Sequence, residues 1–480
     1  MELGNIFLVI STSISLHNKW VQIMFGYLSS FLNEYLYQRR KNPPKQESMI
    51  QSLKQLFFLF AILSNLCLTA QAIDYKADLN KVNGPHIQTV LLNRTDIELS
   101  LPVIKMNTSD QLILRFDDLR GGVTNYSYTF ELCTYDWKQS GLSPMEYLDG
   151  FEEQYIDDYS FSFNTQQRYT HYKAVFPNQY INFRQSGNYI LRVWEEGNDT
   201  QAVITYPFYL WEEVALIDES VTRPNLSSFR DEYQRVNFNI DITDARTTNP
   251  YDEIKVFLMQ NYRYDNARYD LKPRIVSANK MMYDQTDLLF HAGKEYRRFD
   301  TRSLRVQTDR IKKIEREAGK YNVFINADEN RSYKRYFFEN DINGRFLIAA
   351  ELTNNTHLEA DYSMINFALE SPYWMTDGEY YVTGTFNQYR CNETNKMNYN
   401  FDDQLYECSI YLKQGYYNYM YAYIYKDSKT KNGYLEKDYA QAEGNYFEAV
   451  NDYSVFIYLR DNMRNTDKLI GYKTFSSLQN

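Results

Sequence analysis

Tyr126-Ser127-Tyr128-Thr129-Phe130-Glu131-Leu132 decides the fold class. Tyr126, Tyr128, Phe130 and Leu132 alternate with Ser127, Thr129 and Glu131, the period-two pattern of a strand with one buried face. Val236, Phe238, Ile240 and Ile242 repeat the pattern against Asn237, Asn239 and Asp241. Helical periodicity is scarce, and its best short candidate is the charged stretch from Asp309 to Glu317. The expectation is an all-β chain of tandem immunoglobulin-like β-sandwich domains, about three, with very little helix.

Three segments further along share one design, a glycine turn followed by an aromatic residue and a strand. They are Ser186-Gly187-Asn188-Tyr189-Ile190-Leu191, Asn343-Gly344-Arg345-Phe346-Leu347-Ile348 and Gln414-Gly415-Tyr416-Tyr417. In immunoglobulin-like sandwiches a tyrosine near the start of a late strand closes a corner by hydrogen bonding back to the backbone. One such strand per sandwich predicts domains over 73–212, 213–370 and 371–480, the last of them carbohydrate-module-like or immunoglobulin-like. No long Pro- or Ser-rich linker separates them, so they are expected to pack rigidly.

The 480 residues include 46 Tyr, 29 Phe and 5 Trp, an aromatic excess typical of β-rich chains. An apolar share of 44% and a charged share of 24% exclude wholesale disorder. A net charge of −10 argues against nucleic acid as a partner, because neutralising phosphates needs a basic face.

Residues 49–72 read as a signal peptide. Lys54 supplies the n-region, Gln55 to Thr69 an apolar run, and Ala70-Gln71-Ala72 a small-x-small cleavage site. The run is shorter than the roughly 20 apolar residues of a membrane span. Residues 1–48 precede Met49 and read as an over-extended start. Cleavage after Ala72 leaves 408 residues and removes six basic and three acidic side chains, deepening the charge from −10 to −13. Cys67 leaves too; the residue before it is Leu66, where a lipobox needs a small residue. Export permits a disulfide between Cys391 and Cys408, 17 positions apart across a loop, worth about 3 kcal/mol by loop closure. Cys133, inside an apolar strand pattern, is expected to be a buried thiol.

The exported chain holds His86, His171, His291 and His357, none at metal-ligand spacing. There is no Cys-x-x-Cys, no Gly-x-Ser-x-Gly elbow and no phosphate-cradling glycine loop. His171 reads as a strand histidine with a satisfied hydrogen bond. Asp117-Asp118, Asp157-Asp158 and Asp402-Asp403 offer paired carboxylates, the equipment of a glycosidase. Adjacent acids on a strand point to opposite faces, however, so each pair reads as a solvated turn. No catalytic residue, cofactor or metal is expected.

Tyr417, Tyr419, Tyr421, Tyr423 and Tyr425 alternate with Asn418, Met420, Ala422 and Ile424 and line one face of one strand. Met420, Ala422 and Ile424 suffice as a core face, which would turn the phenols outward as a binding ladder. The bland placement packs the ladder against a neighbouring strand or domain.

A set of short motifs runs in order along the chain. Cys133-Thr-Tyr-Asp-Trp137, Leu148-Asp149-Gly150-Phe151, Ser162-Phe-Asn-Thr165, Tyr169-Thr-His-Tyr172, Phe176-Pro-Asn178 and Ser186-Gly-Asn-Tyr189 resemble the first domain of the type IX secretion system plug protein family. Met259-Gln-Asn261, Glu295 to Asp300, Asn340 to Gly344, Ala360-Asp-Tyr362, Lys413 to Tyr419 and Asp467 to Tyr472 extend the resemblance. Lys294 departs from it, standing where Asn is expected. The resemblance implies a non-catalytic periplasmic protein of Bacteroidota that binds the giant outer-membrane β-barrel translocon and closes its periplasmic opening. It names no contact residues; Asp149, Gly150 and Phe151 or the ladder from Tyr417 to Tyr425 are the candidates. Gly384-Thr-Phe-Asn-Gln-Tyr389 also echoes glycogen-binding-type carbohydrate modules, with Tyr389 in place of a tryptophan. An exported glycan-binding accessory protein using tyrosine platforms is therefore the alternative.

Overall fold

The computed structural model describes residues 75–478 apart from 77, 78, 199, 270, 285–287 and 432. The expected over-extended start and signal peptide lie outside the described residues. Strands dominate, and the three α-helices among the described residues are single turns of four residues each. The all-β expectation holds.

The quoted alternation forms the strand Tyr126–Cys133, inside a sheet that also contains Glu153–Tyr155, Gly187–Glu195, Ile204–Trp211 and Lys81–Val82. A second sheet, ordered Ile87–Arg94, Leu112–Asp118, Thr170–Phe176, Asp158–Phe161, covers it. Tyr126, Tyr128, Phe130 and Leu132 fill the space between, with Phe116, Tyr172, Phe176 and Phe208. Tyr189 closes a corner as expected, its hydroxyl donating to the Gln185 carbonyl at 2.7 Å.

The next sandwich is not contiguous in sequence. Its outer sheet is built on Leu216–Thr222, Tyr233–Asp241 and Lys280–Tyr283. Its inner sheet joins Ile254–Gln260 to the C-terminal hairpin Asp452–Asp461 and Thr466–Ser476, with Val256 opposite Ile457. Val236, Phe238 and Ile240 meet Val256, Val455 and Ile457 in one core. The expected boundaries over 213–370 and 371–480 therefore give way to a split sandwich, with another inserted between its halves. Ladder pairing has no memory of sequence separation, and closing a long loop costs only slightly more than closing a short one.

Gly187–Glu195, Ile204–Trp211 and the hairpin sheet are buried on both faces. Tyr189, Leu191 and Val193 point into the first core, while Ile190 and Tyr209 point away from it, onto Phe257, Met259, Phe456 and Tyr458. Tyr209 and Phe456 ring centres are 4.5 Å apart. Each fully buried side chain of this size contributes roughly 1.5–3 kcal/mol, so the joint between the two sandwiches is as substantial as a domain core. Unbroken apolar runs such as Val256-Phe-Leu-Met259 follow from this double burial.

The inserted sandwich centres on Gly415–Tyr425, paired with Arg297–Asp300, Phe346–Ile348 and Gly378–Thr383. Its facing sheet runs Ile311–Glu317, Lys320–Ile325, Tyr362–Glu370, Leu405–Lys413, Asn398–Asn400. The expected boundary near residue 370 falls inside this body, because Tyr362–Glu370 pairs with Leu405–Lys413 along its whole length. Two of the three glycine-turn segments also belong to this one sheet, since Phe346 pairs with Tyr417. Within Asp309 to Glu317, Ile311–Glu317 is a strand, not a helix. Ala318 and Gly319, at φ +49° and +80°, turn the chain straight back onto Lys320–Ile325.

Candidate partner interface

The tyrosine ladder lies inside the protein. Tyr417, Tyr419, Tyr421 and Tyr423 are at most 1% exposed, and Tyr425 is half-buried. Phe299 and Phe346 stack on Tyr417 at 5.0 and 5.2 Å, and its hydroxyl donates to the Lys413 carbonyl at 2.6 Å, a second tyrosine corner. Tyr419 and Tyr421 donate to Asp328 Oδ2 at 2.6 and 2.7 Å, Tyr423 to Asp377, and Tyr425 to Asp438 Oδ2 at 3.1 Å. Every phenol thus keeps a partner after desolvation, which is what permits a row of tyrosines in a core. The other face of the strand is covered as well, with Met420 against Tyr296 and Tyr389. The ladder is therefore no docking face. Tyr389 is itself buried, its hydroxyl donating to Tyr296 at 3.0 Å, so neither the ladder nor the Gly384–Tyr389 segment offers a sugar platform.

Asp117 and Asp118 are buried, not a solvated turn. They do point to opposite faces. Asp118 accepts from Tyr126 at 2.9 Å and pairs with Arg120 at 2.7 Å within the first sandwich. Asp117 faces the inserted sandwich: His171 Nδ1 lies 2.7 Å from Oδ1, while Tyr362 and Lys413 donate to Oδ2 at 2.7 and 2.6 Å. Burial alone would raise the Asp117 carboxyl, and Lys413 and His171 outweigh it, holding the group below the usual range. Lys413 also donates to the His357 carbonyl at 2.8 Å, and Asp361 accepts from the Gln166 and Gln167 amides at 2.6 and 3.0 Å. Asp117, His171, Lys413 and Tyr362 resemble a catalytic constellation, yet both carboxylate oxygens are occupied and His171 is buried. The cluster locks two sandwiches together.

A second joint ties the first sandwich to the hairpin. Asp467, fully buried, accepts from the Tyr135 amide at 2.8 Å and pairs with Arg460 at 2.9 Å. Burial pushes its carboxyl up to about 6, with Arg460 and the Tyr135 amide offsetting only part of the rise. A folded-state value above the unfolded one of about 3.9 means stability that is complete near pH 4 and lost as pH rises through 6. Urea unfolding of wild type against Asp467→Asn should show the wild-type advantage falling by about 3 kcal/mol between those limits and pH 7.

The expected Cys391–Cys408 disulfide is absent; both are free thiols, as is the buried Cys133. Cys408 lies in the core of the inserted sandwich, whereas Cys391 neighbours Lys437, Asp265 and Arg263 outside it. Burial pushes both thiols up to about 12, so neither is a reactive thiolate. Alkylation of protein unfolded without reductant should label all three cysteines, and reductant should leave the melting temperature unchanged.

Asp149, Gly150 and Phe151 are exposed, on the rim of the first sandwich. Gly150 adopts φ +124°, and a Cβ there would lie 2.0 Å from the Tyr180 carbonyl oxygen, so the turn requires glycine. Asp149 pairs with Arg184 at 2.6 Å. Phe151 is 71% exposed, and the aromatic exposure continues through Tyr155, Phe161, Phe163 and the neighbouring Tyr180, each above half. Sequence reading missed these four, because Tyr159-Ser-Phe-Ser-Phe163 alternates like a strand with a buried aromatic face. The signal available was five acids and no base between Asp149 and Asp158. Gly121, Gly122, Phe161, Phe163, Asn164 and Arg168 line an open cleft of about 490 Å³ at the end of this rim.

Residues 87–212 match the family model described as the type 9 secretion system plug protein 1st domain, which covers the first sandwich apart from its strand Lys81–Val82. A hypothetical protein from Parabacteroides merdae ATCC 43184, known from a crystal structure at 2.30 Å, superposes with a TM-score of 0.78 at 34% identity. The similarity covers 83% of this chain and 99% of that one. A comparison with curated proteins finds no match.

Proposed function

Because the chain belongs to the type 9 secretion system plug protein family, we propose that it is a non-catalytic periplasmic plug that binds the outer-membrane β-barrel translocon and closes its periplasmic opening. The observation that carries the reading is the plug-domain match across 87–212. The physical setting agrees with it. A pore closure needs a body that does not deform, and here sandwiches are joined by apolar layers and buried ion pairs instead of flexible linkers. No helix among the described residues is long and apolar enough to cross a membrane. With the tyrosine ladder buried, the exposed rim around Asp149, Gly150 and Phe151 is the one of the two sequence candidates that remains for contact with the barrel. A stable contact needs about 1,600 Å² in total.

Affinity purification of the tagged protein from native membranes tests the reading. The expected result is co-purification of a very large outer-membrane barrel, and a leaky outer membrane when the plug is deleted. No barrel in the eluate, together with an intact permeability barrier after deletion, overturns it.

A further inference from the structure

The first sandwich is left open along one side. Its outer sheet ends at Asp158–Phe161, four exposed residues bonded on one edge to Thr170–Phe176. Its inner sheet ends on the same segment of chain, at the three-residue strand Glu153–Tyr155. Both are terminal strands, so alternate N–H and C=O groups along their outer edges have no ladder partner. Tyr159 and Phe161 share a face with the core residue Tyr172, across from Tyr172 and Thr170, yet both rings remain exposed at the mouth. Proteins ordinarily blunt such an edge, and the acids here do part of that work. They do not account for six large aromatics in the open on one rim, Tyr159 among them.

We propose that this edge is a strand-addition site, filled by an extended segment of the partner with alternating apolar residues and basic flanks. The added strand pairs with Asp158–Phe161 and continues the outer sheet. Its apolar side chains cover Tyr159 and Phe161 and complete the core at the mouth. Its flanks meet Glu152, Glu153 and Asp157, all exposed and without a basic partner among the described residues, whereas Asp149 and Asp158 are taken by Arg184 and Lys173. Charge also excludes a second copy of this chain. Edge-to-edge pairing of two copies would bring two runs of five acids together. The inference rests on the plug reading for the source of the segment, the barrel translocon; the strand addition itself does not depend on it.

The full chain is tested with two probes and with the purified barrel. One peptide of alternating valine and threonine carries lysine flanks, and its twin carries glutamate flanks. Hydrogen exchange should slow at 158–161 with the lysine peptide, which should bind about tenfold or more tightly than its twin. Glu153→Lys with Asp157→Lys, at exposed positions that leave the fold intact by urea unfolding, should reverse that preference and weaken barrel binding about tenfold. Phe161→Asp should weaken both peptides. Equal binding of the two peptides, protection elsewhere, or protection that grows with protein concentration alone overturns the proposal. Barrel binding unaffected by the charge swap overturns it while leaving the plug reading intact. Peptide protection without any barrel binding overturns the plug reading and leaves strand addition standing.

Discussion

Asp117→Ala should lower the unfolding free energy by about 3–5 kcal/mol, the usual cost of leaving a buried charge without its counter-ion. Lys413 is the stranded charge. Its side chain is 1% exposed, its ammonium has the Asp117 carboxylate at 2.6 Å, and no other carboxylate among the described residues is paired with it. The same substitution leaves the His171 ring without its acceptor and the Tyr362 hydroxyl with only the Thr89 hydroxyl at 2.6 Å. Because Asp117 belongs to the first sandwich and Lys413 and Tyr362 to the inserted one, the loss falls on the joint between them. The double variant Asp117→Ala with Lys413→Met removes both charges and should recover most of the loss, since apolar replacement of a buried pair is often close to neutral. Denaturant unfolding of the four proteins of this cycle measures the coupling directly. If Asp117→Ala costs less than about 1 kcal/mol, the lock is not a stabilising joint.

How much of this was legible in the sequence follows from what each signal reports. Period-two alternation reports a buried face, and Tyr126 to Leu132 and Val236 to Ile242 both became strands with that face inward. Alternation does not report what lies on the other side, so Tyr417 to Tyr425 read equally well as an outward ladder. Only the position of Asp328, 91 residues from Tyr419, shows that the phenols have buried acceptors. The tyrosine corner was readable at Tyr189 and Tyr417 because its bond is local, four residues back along the chain. The split sandwich was not readable, since the pairing of Val256 with Ile457 leaves no local mark. Asp117 failed as a reading for the same reason. An acid pair on a strand looks solvated until Lys413, nearly 300 residues later, is seen to neutralise it. The exposed rim was half legible: Asp149-Gly150-Phe151 stood out as a contact candidate, but Phe161 and Phe163 carry the pattern of core residues and yet lie exposed.

Glu443→Ala should cost about as much as Asp117→Ala, and here the pH dependence gives a second readout. Glu443 is fully buried beneath the tyrosine strand. It pairs with Arg297 at 3.0 Å and Arg331 at 2.5 Å and accepts from the Tyr421 amide at 3.0 Å. Burial opposes its ionisation, and Arg297 and Arg331 overcome that, bringing the carboxyl down to about 2. A folded-state value below the unfolded one of about 4.3 is stabilising above that pH, and the contribution is lost as pH falls through 2. Arg297 retains Asp328 at 2.9 Å in the variant, whereas Arg331, nearly buried, is left with the Glu295 carbonyl. Truncation therefore costs about 3–5 kcal/mol near neutral pH. Glu443→Gln keeps the volume and removes only the charge, so its deficit against wild type should shrink by about 3 kcal/mol between pH 5 and pH 2. The opposite slope belongs to Asp467→Asn, whose difference from wild type changes between pH 4 and pH 7. The two carboxylates thus separate by pH window, one in the inserted sandwich and one at the hairpin joint. A Glu443→Gln deficit that stays constant down to pH 2 would mean that the glutamate acts through packing and its bond to the Tyr421 amide, with Arg297 and Arg331 neutralised elsewhere.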